Sequence, residues 1–261
     1  MSTNPLVSII INCHNGEKYL RECLNSVISQ TYKNWEIVFF DNLSKDRSKS
    51  ILDEYSGSNI NYFKSEKFLR LYEARNLAIS KAVGKYICFL DVDDFWIKEK
   101  LEYQVKFLEE NKNFEMVYSN YYTFDQKKNR YFIKNDFNLP YGIITNKLLK
   151  NYTIGFVTTC VRKNIFLKTS FDNRYEIIGD FDFFIKLSKK ISIGCIQKPL
   201  ASYRVHNKNL SKKKISLYVN ELKNWIQENE SDFSKKGYSF ANQKFLLYKL
   251  TLKKYLSFLG V

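Results

Sequence analysis

A short apolar run that ends in a cluster of carboxylates constrains this chain more than any other feature. Tyr86 to Leu90 is apolar throughout, and Asp91, Asp93 and Asp94 follow it directly. The run is typical of a buried strand, and crowded carboxylates at a strand end repel one another and are costly to bury. A divalent cation would offset that cost, since Mg²⁺ and Mn²⁺ prefer oxygen ligands. The stretch therefore predicts a site for a metal and a phosphate-bearing ligand; the alternative is an acidic turn that caps the next helix.

Strand-like and helix-like patterns alternate before this run. Apolar runs at Val7–Ile11, Trp35–Phe40 and Ile60–Phe63 predict strands, with helical patterns between them. We expect Gly84 to close the helix over residues 72–83 as a C-cap. This alternation predicts a parallel sheet with right-handed crossovers. Ligands bind at the carboxyl ends of strands in such sheets, and polar turns follow the first two strands.

Composition narrows the class of partner and the location. The chain has 261 residues, of which 44% are hydrophobic, so it can bury a substantial core. Its net charge of +15 indicates an anionic partner, either a nucleotide or a phospholipid surface. Nucleic acid is not expected, because the lysines are scattered and no basic-aromatic motif appears. The five cysteines form no C-x-x-C pair, and no signal peptide or long apolar span is evident, so we expect reduced thiols and a cytoplasmic location.

Five pieces of sequence in a fixed order resemble the family-2 glycosyltransferases. They are Val7–Asn15, Gln30–Tyr32, Asp41–Asp46, Glu73–Asn76 and Asp91–Asp94, and the similarity continues to about Ser211. The resemblance implies an α/β fold of the GT-A type, a Rossmann-like and mostly parallel sheet flanked by helices. It also implies inverting transfer of a sugar from a nucleotide diphospho-sugar, with uridine diphosphate as the favoured donor nucleotide. We expect a GT-A domain over residues 1–210, with a nucleotide-binding half at 1–110 and an acceptor and catalytic half at 111–210.

The resemblance also suggests which residues hold the donor and the metal. Mn²⁺ or Mg²⁺ is the expected cofactor, with Asp93 the best candidate ligand. His206 would bind the metal as a neutral imidazole or the diphosphate as an imidazolium. Arg75 would reach the diphosphate or the motif that carries the catalytic base, or would form a structural ion pair with Glu73 or Asp46. The expected donor-binding residues are Asn12, His14, Asn15, Asp41, Asn42, Arg75, Asp91, Asp93 and Arg204, and the expected metal ligands are Asp93, Asp94 and His206.

The catalytic base is assigned by the same resemblance. In the family an Asp that often follows a Glu deprotonates the acceptor, and Asp180 lies at the matching position. Gly179 replaces the Glu in this chain, so Asp182 is a candidate for the supporting carboxylate. The alternative is that Asp180 only caps the helix that follows.

The remaining chain carries fewer signals. Met116–Phe124 and Gly155–Val161 predict strands, and residues 211–261 predict a helical, basic extension. One helical face there carries Phe245, Tyr248, Leu252, Tyr255, Leu256 and Leu259. This face would pack on the core or a partner subunit, or would contact an anionic membrane while the enzyme acts on a glycan or lipid-linked glycan. Two rival functions stay open, a non-catalytic nucleotide-sugar-binding or scaffold protein and, less favoured, a sugar-nucleotide pyrophosphorylase.

Overall fold

The computed structural model describes residues 4–55, 57, 59–207 and 209–258. In these residues nine strands form one sheet, and nine α-helices are present. The strands are β1 (Val7–Cys13), β2 (Trp35–Asp41), β3 (Ile60–Lys64), β4 (Tyr86–Phe89), β5 (Phe95–Trp96), β6 (Met116–Asp125), β7 (Arg130–Ile133), β8 (Cys160–Arg162) and β9 (Ile193–Val205). The helices are α1 (Leu20–Ile28), α2 (Ser48–Asp53), α3 (Leu71–Lys81), α4 (Lys100–Glu110), α5 (Thr145–Lys150), α6 (Gly179–Ser188), α7 (Leu210–Lys213), α8 (Ile215–Lys235) and α9 (Ala241–Phe258).

The first four strands form the predicted parallel sheet. They lie in the order β3-β2-β1-β4, and every pair among these neighbours is parallel. Side chains of β1 alternate between two apolar cores, with Ile9 and Ile11 in one and Ile10 in the other. Burial on both faces explains why the strand is a continuous apolar run rather than an alternating one.

Beyond β4 the sheet becomes mixed. The order continues β8-β6-β9-β5, with β8 antiparallel to both β4 and β6, and β6 parallel to β9. The predicted strand over Gly155–Val161 is wrong in its first half, because Phe156–Thr158 form a 3₁₀ turn. The hydroxyls of Thr158 and Thr159 donate to the carbonyls of Gly155 and Phe156 at 2.7 and 2.9 Å. Such local bonds favour a turn over an extended strand.

The predicted role of Gly84 as a C-cap is also wrong. Helix α3 ends at Lys81, and its C-cap residue Ala82 has extended backbone angles. Gly84 instead passes close to the start of β1, where a Cβ would lie 2.6 Å from the backbone nitrogen of Ser8. Its own N–H donates to the Ser8 hydroxyl at 2.8 Å. Glycine is required there by the close approach of two backbones.

The C-terminal helices share a core with the preceding residues. Trp225 of α8 is fully buried, and Leu222, Phe233 and Phe240 belong to the same apolar cluster as Phe184 of α6. One face of α9 packs on α5 and α8, and the opposite face is exposed. None of the helices in the described part of the chain combines the length and apolar character that a membrane span requires. Residues 1–3 and 259–261, including Leu259 of the predicted apolar face, lie outside the described residues.

The five cysteines are free thiols, as the sequence predicted. Four are buried, and Cys195 is half-buried. Cys88 and Cys160 face each other across β4 and β8. Their burial accounts for the apolar runs in which they occur.

Candidate active site

The candidate site lies at the carboxyl ends of three neighbouring parallel strands. The carboxylate cluster at residues 91–94 follows β4, and polar loops follow β1 and β2 at residues 14–19 and 42–47. Strand β1 pairs with both β2 and β4, so the three segments lie side by side. This edge of an open α/β sheet is where ligands bind.

The two loops after β1 and β2 are hydrogen-bonded into one unit. The N–H of Asn15 donates to the Ser44 hydroxyl at 2.9 Å, and the N–H of Lys45 donates to Oδ1 of Asn15 at 2.8 Å. The N–H of Gly16 donates to the Ser48 hydroxyl at 2.9 Å. Asn15 has a positive φ of 55°, a conformation that asparagine tolerates better than most residues. These contacts hold the loops in one arrangement in the unliganded chain, so a ligand would meet a preformed surface.

Of the predicted donor contacts Asn12 and His14, Asn12 has a polar atom without a partner in the described residues, whereas both ring nitrogens of His14 are hydrogen-bonded, to Asn42 and Asn15. The amide nitrogen of Asn12 is buried and makes no hydrogen bond within the described residues. Nδ1 of His14 donates to the carbonyl of Asn42 at 2.8 Å, and the imidazole lies edge-on to the exposed ring of Phe68, with centroids 4.9 Å apart. A buried donor without an acceptor is costly, and a ligand that supplied an acceptor would remove that cost.

The side chains of Asp41 and Asn42 are used by the protein itself. Asp41 accepts from the Ser44 N–H at 2.7 Å and from the Tyr62 hydroxyl at 2.8 Å. The Asn42 amide donates to the carbonyl of Leu69 and accepts from its N–H, both at 2.9 Å. Both residues are buried. These bonds shape the loop after β2, and the predicted contact of either side chain with a nucleotide base stays a prediction.

Arg75 forms an ion pair with the first carboxylate of the cluster. Its Nη2 lies 2.6 Å from Oδ1 of Asp91, and its guanidinium lies 4.9 and 4.0 Å from the ring centroids of Tyr72 and Phe156. The alternative ion pair with Glu73 or Asp46 is therefore wrong. The side chain of Arg75 is only 5% exposed, because helix α3 packs against β1 and β2 and directs it inwards towards β4. Arg75 thus places a fixed positive charge beside the acidic cluster.

Asp93 and Asp94 meet residues from the end of β9. Nε2 of His206 donates to Oδ2 of Asp93 at 2.9 Å, and the N–H of Arg204 donates to Oδ1 of Asp94 at 2.8 Å. Burial, followed by the charge of Asp91, raises the pKa of Asp93. Burial and the charge of Asp93 raise the pKa of Asp94 well above its usual value. Burial and mutual repulsion thus disfavour full ionisation of these carboxyls, and a bound cation would favour it.

The Arg204 guanidinium is held by several groups. Its Nε donates to the carbonyl of Asp93 at 2.8 Å, and its Nη2 donates to Glu22 at 2.5 Å. The rings of Tyr19, Phe95 and Phe124 surround it, with centroids 5.0 to 5.2 Å away. Sequence reasoning missed Glu22 and Tyr19, because nothing in the pattern of α1 separates them from ordinary surface positions.

The cluster fits a divalent metal that a substrate helps to coordinate. Within the described residues no group of three or more His, Cys, Asp or Glu side chains is arranged to hold a metal ion. Asp93 and His206 do bring one carboxylate and one imidazole together, and the Oδ1 of Asp94 is occupied by a backbone N–H. Mg²⁺ is commonly held by one or two protein carboxylates together with substrate phosphates. A metal at Asp93 and His206 would need oxygen ligands from a phosphate-bearing partner, and the predicted ligand set of Asp93, Asp94 and His206 stays a prediction.

Asp180 lies in the first turn of α6 and is joined to the acidic cluster through two side chains. Its Oδ1 accepts from the Tyr72 hydroxyl at 3.0 Å, and the Tyr72 ring lies beneath the guanidinium of Arg75, which pairs with Asp91. Burial raises the pKa of the Asp180 carboxyl, while the positive charge of Arg75 opposes that change. The structure thus brings together carboxylates that lie almost 90 residues apart in sequence.

Gly179 is explained by its contact with Tyr72. A Cβ on residue 179 would lie 2.5 Å from Cδ2 and Cε2 of the Tyr72 ring. The ring fills the space that a side chain at this position would need. Replacement of the family's Glu by glycine therefore allows Tyr72 to reach Asp180.

Asp182 points away from Asp180. Its Oδ1 accepts from Nε1 of Trp225 at 2.8 Å and pairs with Lys186 at 2.6 Å. It is buried where α6 packs on α8. These contacts hold α8 against α6 and do not involve Asp180. The predicted catalytic role of Asp182 stays a prediction.

A group of tyrosines near Asp180 was not predicted. Tyr152 and Tyr218 are close enough for the Asp180 charge to contribute to the raised pKa of each, after burial as the main cause. Asp180 also adds to the raised pKa of Tyr121, after burial and Asp94. The Tyr152 hydroxyl is buried and has no hydrogen-bond partner among the described residues. These three side chains come from three separate segments, so their spacing in sequence gives no signal.

The sheet order, the loops at the strand ends and the similarity to solved structures define the class, a GT-A fold. The model of glycosyl transferase family 2 matches residues 8–174, which is more than half of the chain. This chain therefore belongs to glycosyl transferase family 2, and it is a glycosyltransferase.

One protein of similar sequence and two of similar structure are consistent with membership of this family. The chain is 33% identical over 211 residues to the UDP-Glc:alpha-D-GlcNAc-diphosphoundecaprenol beta-1,3-glucosyltransferase WfgD of Escherichia coli, a match that covers 80% of this chain and 81% of WfgD. The structure of S. aureus TarS 1-349 in complex with UDP-GlcNAc superposes with a TM-score of 0.65 at 17% identity, over 94% of this chain and 71% of that one. The mannosyltransferase PcManGT of Pyrobaculum calidifontis, in complex with GDP-Man and Mn²⁺, gives a TM-score of 0.65 at 15% identity, over 87% of this chain and 65% of that one.

Proposed function

We propose that this glycosyltransferase moves a sugar, with inversion, from a UDP-sugar to a hydroxyl of a sugar carried on a lipid diphosphate. The observation that carries the proposal is the chain of contacts from Asp180 through Tyr72 and Arg75 to Asp91. Through these contacts a candidate base for the acceptor would lie beside a candidate site for the donor diphosphate. A base at Asp180 and a diphosphate site at Asp91 would supply the two groups that such a reaction needs.

The donor is assigned from the loops after β1 and β2 together with the relatives. The buried amide nitrogen of Asn12 would donate to a carbonyl of the base, and the exposed ring of Phe68 beside His14 offers a surface for stacking. WfgD is named for UDP-Glc, and TarS was solved with UDP-GlcNAc. Uracil has carbonyl oxygens that can meet the Asn12 donor. A carbonyl partner for Asn12 separates uracil from adenine but not from guanine or cytosine, so the choice of a uridine nucleotide rests on WfgD and TarS.

Asp93 and His206 would hold a divalent metal, and Asp94 would position β9 through Arg204. PcManGT, which shares the fold, was solved with Mn²⁺. When bound, such a metal neutralises charge on the diphosphate as that group leaves. Arg75 would assist from the side of Asp91, since its guanidinium is a fixed positive charge near the same phosphates.

Asp180 would accept the proton of the acceptor hydroxyl. Its ionised form receives a hydrogen bond from Tyr72 and is stabilised by the charge of Arg75, while burial keeps its pKa raised and so strengthens it as a base. In an inverting transfer the acceptor oxygen attacks the sugar carbon on the face opposite the departing diphosphate. Asp180 and the acidic cluster would lie on these two sides of the sugar.

The tyrosines around Asp180 would bind the acceptor sugar. Aromatic rings stack on the apolar faces of sugars, and the unpartnered hydroxyl of Tyr152 offers a hydrogen bond to a sugar hydroxyl. The WfgD acceptor is a GlcNAc linked to diphosphoundecaprenol. A GlcNAc-diphospholipid is accordingly the first acceptor to test.

Transfer from UDP-Glc to a GlcNAc-diphospholipid analogue, with Mn²⁺ present, tests the proposal. We expect a β-linked product that disappears with a chelator and returns when Mn²⁺ is added. Asp180→Asn should abolish transfer but keep donor binding, whereas Glu110→Gln, at an exposed position on α4, should leave both intact. Donor binding with no transfer or hydrolysis for any nucleotide sugar would favour the rival scaffold function. Full activity in the presence of a chelator would refute the metal assignment.

A further inference from the structure

Helix α9 presents an apolar face that nothing in the described chain covers. The face carries Phe245, Leu246, Tyr248, Leu252, Tyr255 and Leu256, whose exposed fractions lie between 38% and 65%. Most of these recur at intervals of three and four residues, so they form one stripe along about three turns. Large contiguous apolar patches are uncommon on the surface of a monomer and mark interaction sites.

The opposite face of α9 is fixed to the protein. Leu247 and Leu250 pack on the apolar core, and the amide of Gln243 donates to the carbonyl of Leu149 at 2.6 Å. Asn242 donates to the neighbouring carbonyl of Lys150. The helix is therefore held in one orientation. Its apolar stripe stays exposed because the opposite face of the same helix is packed on the protein.

The charges beside the stripe determine what can cover it. Exposed Lys249 and Lys253 flank one side, and the Lys249 ammonium lies 4.3 Å from the centroid of the Phe245 ring. On the other flank Lys244 pairs with Glu230 of α8 at 2.6 Å. Residues 241–258 contain no Asp or Glu. A second copy of this face would bring lysines against lysines, whereas an anionic lipid surface offers both an apolar layer and negative charge.

We propose that α9 docks on an anionic phospholipid surface, with its apolar stripe in the interfacial layer and Lys249 and Lys253 among the headgroups. Tyrosine and lysine suit this position, because each has an apolar body and a polar tip. Since no described helix can span a bilayer, α9 would lie on the surface.

The fold connects this surface to the active site. Helix α5 accepts the bonds from Asn242 and Gln243, and Tyr152 follows it within two residues. The Tyr152 ring packs against Phe181 with centroids 5.1 Å apart, next to Asp180. Docking would therefore place the candidate base near the lipid surface that carries the acceptor. This use of the contact rests on the proposed function, whereas the contact itself does not.

Vesicle flotation of the full chain tests the docking without donor or acceptor. We expect strong binding to vesicles that contain phosphatidylglycerol and phosphatidylcholine, and at least tenfold weaker binding to phosphatidylcholine alone. Tyr248→Ser/Leu252→Ser and Lys249→Glu/Lys253→Glu should each weaken binding at least tenfold. The matched controls are Val83→Ser/Leu167→Ser, two exposed apolar positions elsewhere, and Lys33→Glu/Lys106→Glu, and both should bind as the wild type does.

Two results would overturn the docking proposal. One is the absence of binding of the wild-type protein to anionic vesicles at low salt, or of any difference in binding strength between the α9 variants and the controls. The other is a wild-type dimer that becomes a monomer in Tyr248→Ser/Leu252→Ser by sedimentation, which would assign the stripe to contact between copies. Hydrolysis of the donor in solution should be unchanged in the α9 variants and shows that they fold. Vesicle binding without glycosyl transfer would refute the proposed function and leave the docking intact.

Discussion

The ring of Tyr72 occupies the space where residue 179 would carry a side chain, and the Tyr72 hydroxyl donates to the next residue, Asp180, at 3.0 Å. One aromatic side chain thus accounts both for the glycine and for the orientation of the candidate base. The structure therefore gives a packing reason for glycine where the family often has Glu.

Restoring the family residue should therefore damage the protein. We expect Gly179→Glu to displace Tyr72, break its bond to Asp180 and lower kcat by about a hundredfold or more, because misplacement of a base is costly. Gly179→Ala should cost about 1–3 kcal/mol of unfolding free energy as an overpacked contact. In a Tyr72→Ala background, Gly179→Ala should lower the unfolding free energy much less. Urea unfolding of the wild type, the two single variants and the double variant measures this coupling. An active, stable Gly179→Glu enzyme would contradict the packing argument.

Asparagine in place of Asp180 and asparagine in place of Asp182 should affect turnover and stability differently. Asp180→Asn should reduce kcat by about 10²–10⁴ without lowering stability. The reason is that burial raises the pKa of Asp180, so its ionised form lowers folded stability as pH rises above the pKa of the unfolded state, and the neutral amide avoids that loss. Burial raises the pKa of Asp182 as well, so its amide also avoids that loss, but Asp182→Asn weakens the bonds to Trp225 and Lys186. It should keep most of its turnover and show a net loss of about 1 kcal/mol of unfolding free energy. Kinetics and thermal unfolding of both variants separate the roles, and loss of turnover in Asp182→Asn would restore its predicted catalytic role.

The fall of kcat/KM at acidic pH, the acid limb of the pH profile, should depend on the ionisation of Asp180 and on its hydrogen bond to Tyr72. A base must be ionised, so kcat/KM should fall as pH drops through a pKa that lies above the ordinary carboxyl value of 3.8. The Tyr72 bond favours the ionised form, so Tyr72→Phe should move the limb to higher pH, by about one pH unit. Tyr175→Phe removes a buried hydroxyl that has no bond to Asp180 and should leave the limb in place. An unchanged limb in Tyr72→Phe would exclude Asp180 as the titrating group.

Glu221 of α8 should support the segment that leads to Asp180. Its carboxylate accepts from the N–H groups of Glu176, Ile177 and Ile178 at 2.7, 2.9 and 3.2 Å. Glu221→Ala leaves these donors without their acceptor, so we expect a loss of about 2–3 kcal/mol in unfolding free energy and about a tenfold lower kcat.

The matched control for Glu221 is Glu228→Ala on the same helix. Glu228 pairs with Arg174 at the surface and should cost less than about 1 kcal/mol, with kcat unchanged. Equal losses in urea unfolding for the two variants would mean that the bonds to residues 176–178 contribute little.

Local sequence was sufficient for the first half of the fold. Continuous apolar runs, polar turns and helical spacing each depend on near neighbours, so β1 to β4 and their parallel direction could be predicted, whereas their order in the sheet came from the structure. The second half depends on pairs such as β6 with β9, which join residues about 80 apart and include bulges. Threonine hydroxyls turned residues 156–158 away from a strand, and Gly84 serves a backbone contact that no local pattern indicates.

By itself the sequence determined the family, the carboxylate cluster after β4 and the candidate base, because motif residues keep their order along the chain. Only the tertiary structure decided which of them meet: Asp93 with His206, Arg75 with Asp91, and Asp180 with Tyr72. It also showed that Asp41 and Asn42 are used by neighbouring loops, and that α9 keeps one apolar face exposed. The physical reason is that the partner of a buried polar group is set by packing between distant segments, and sequence spacing carries no measure of that distance.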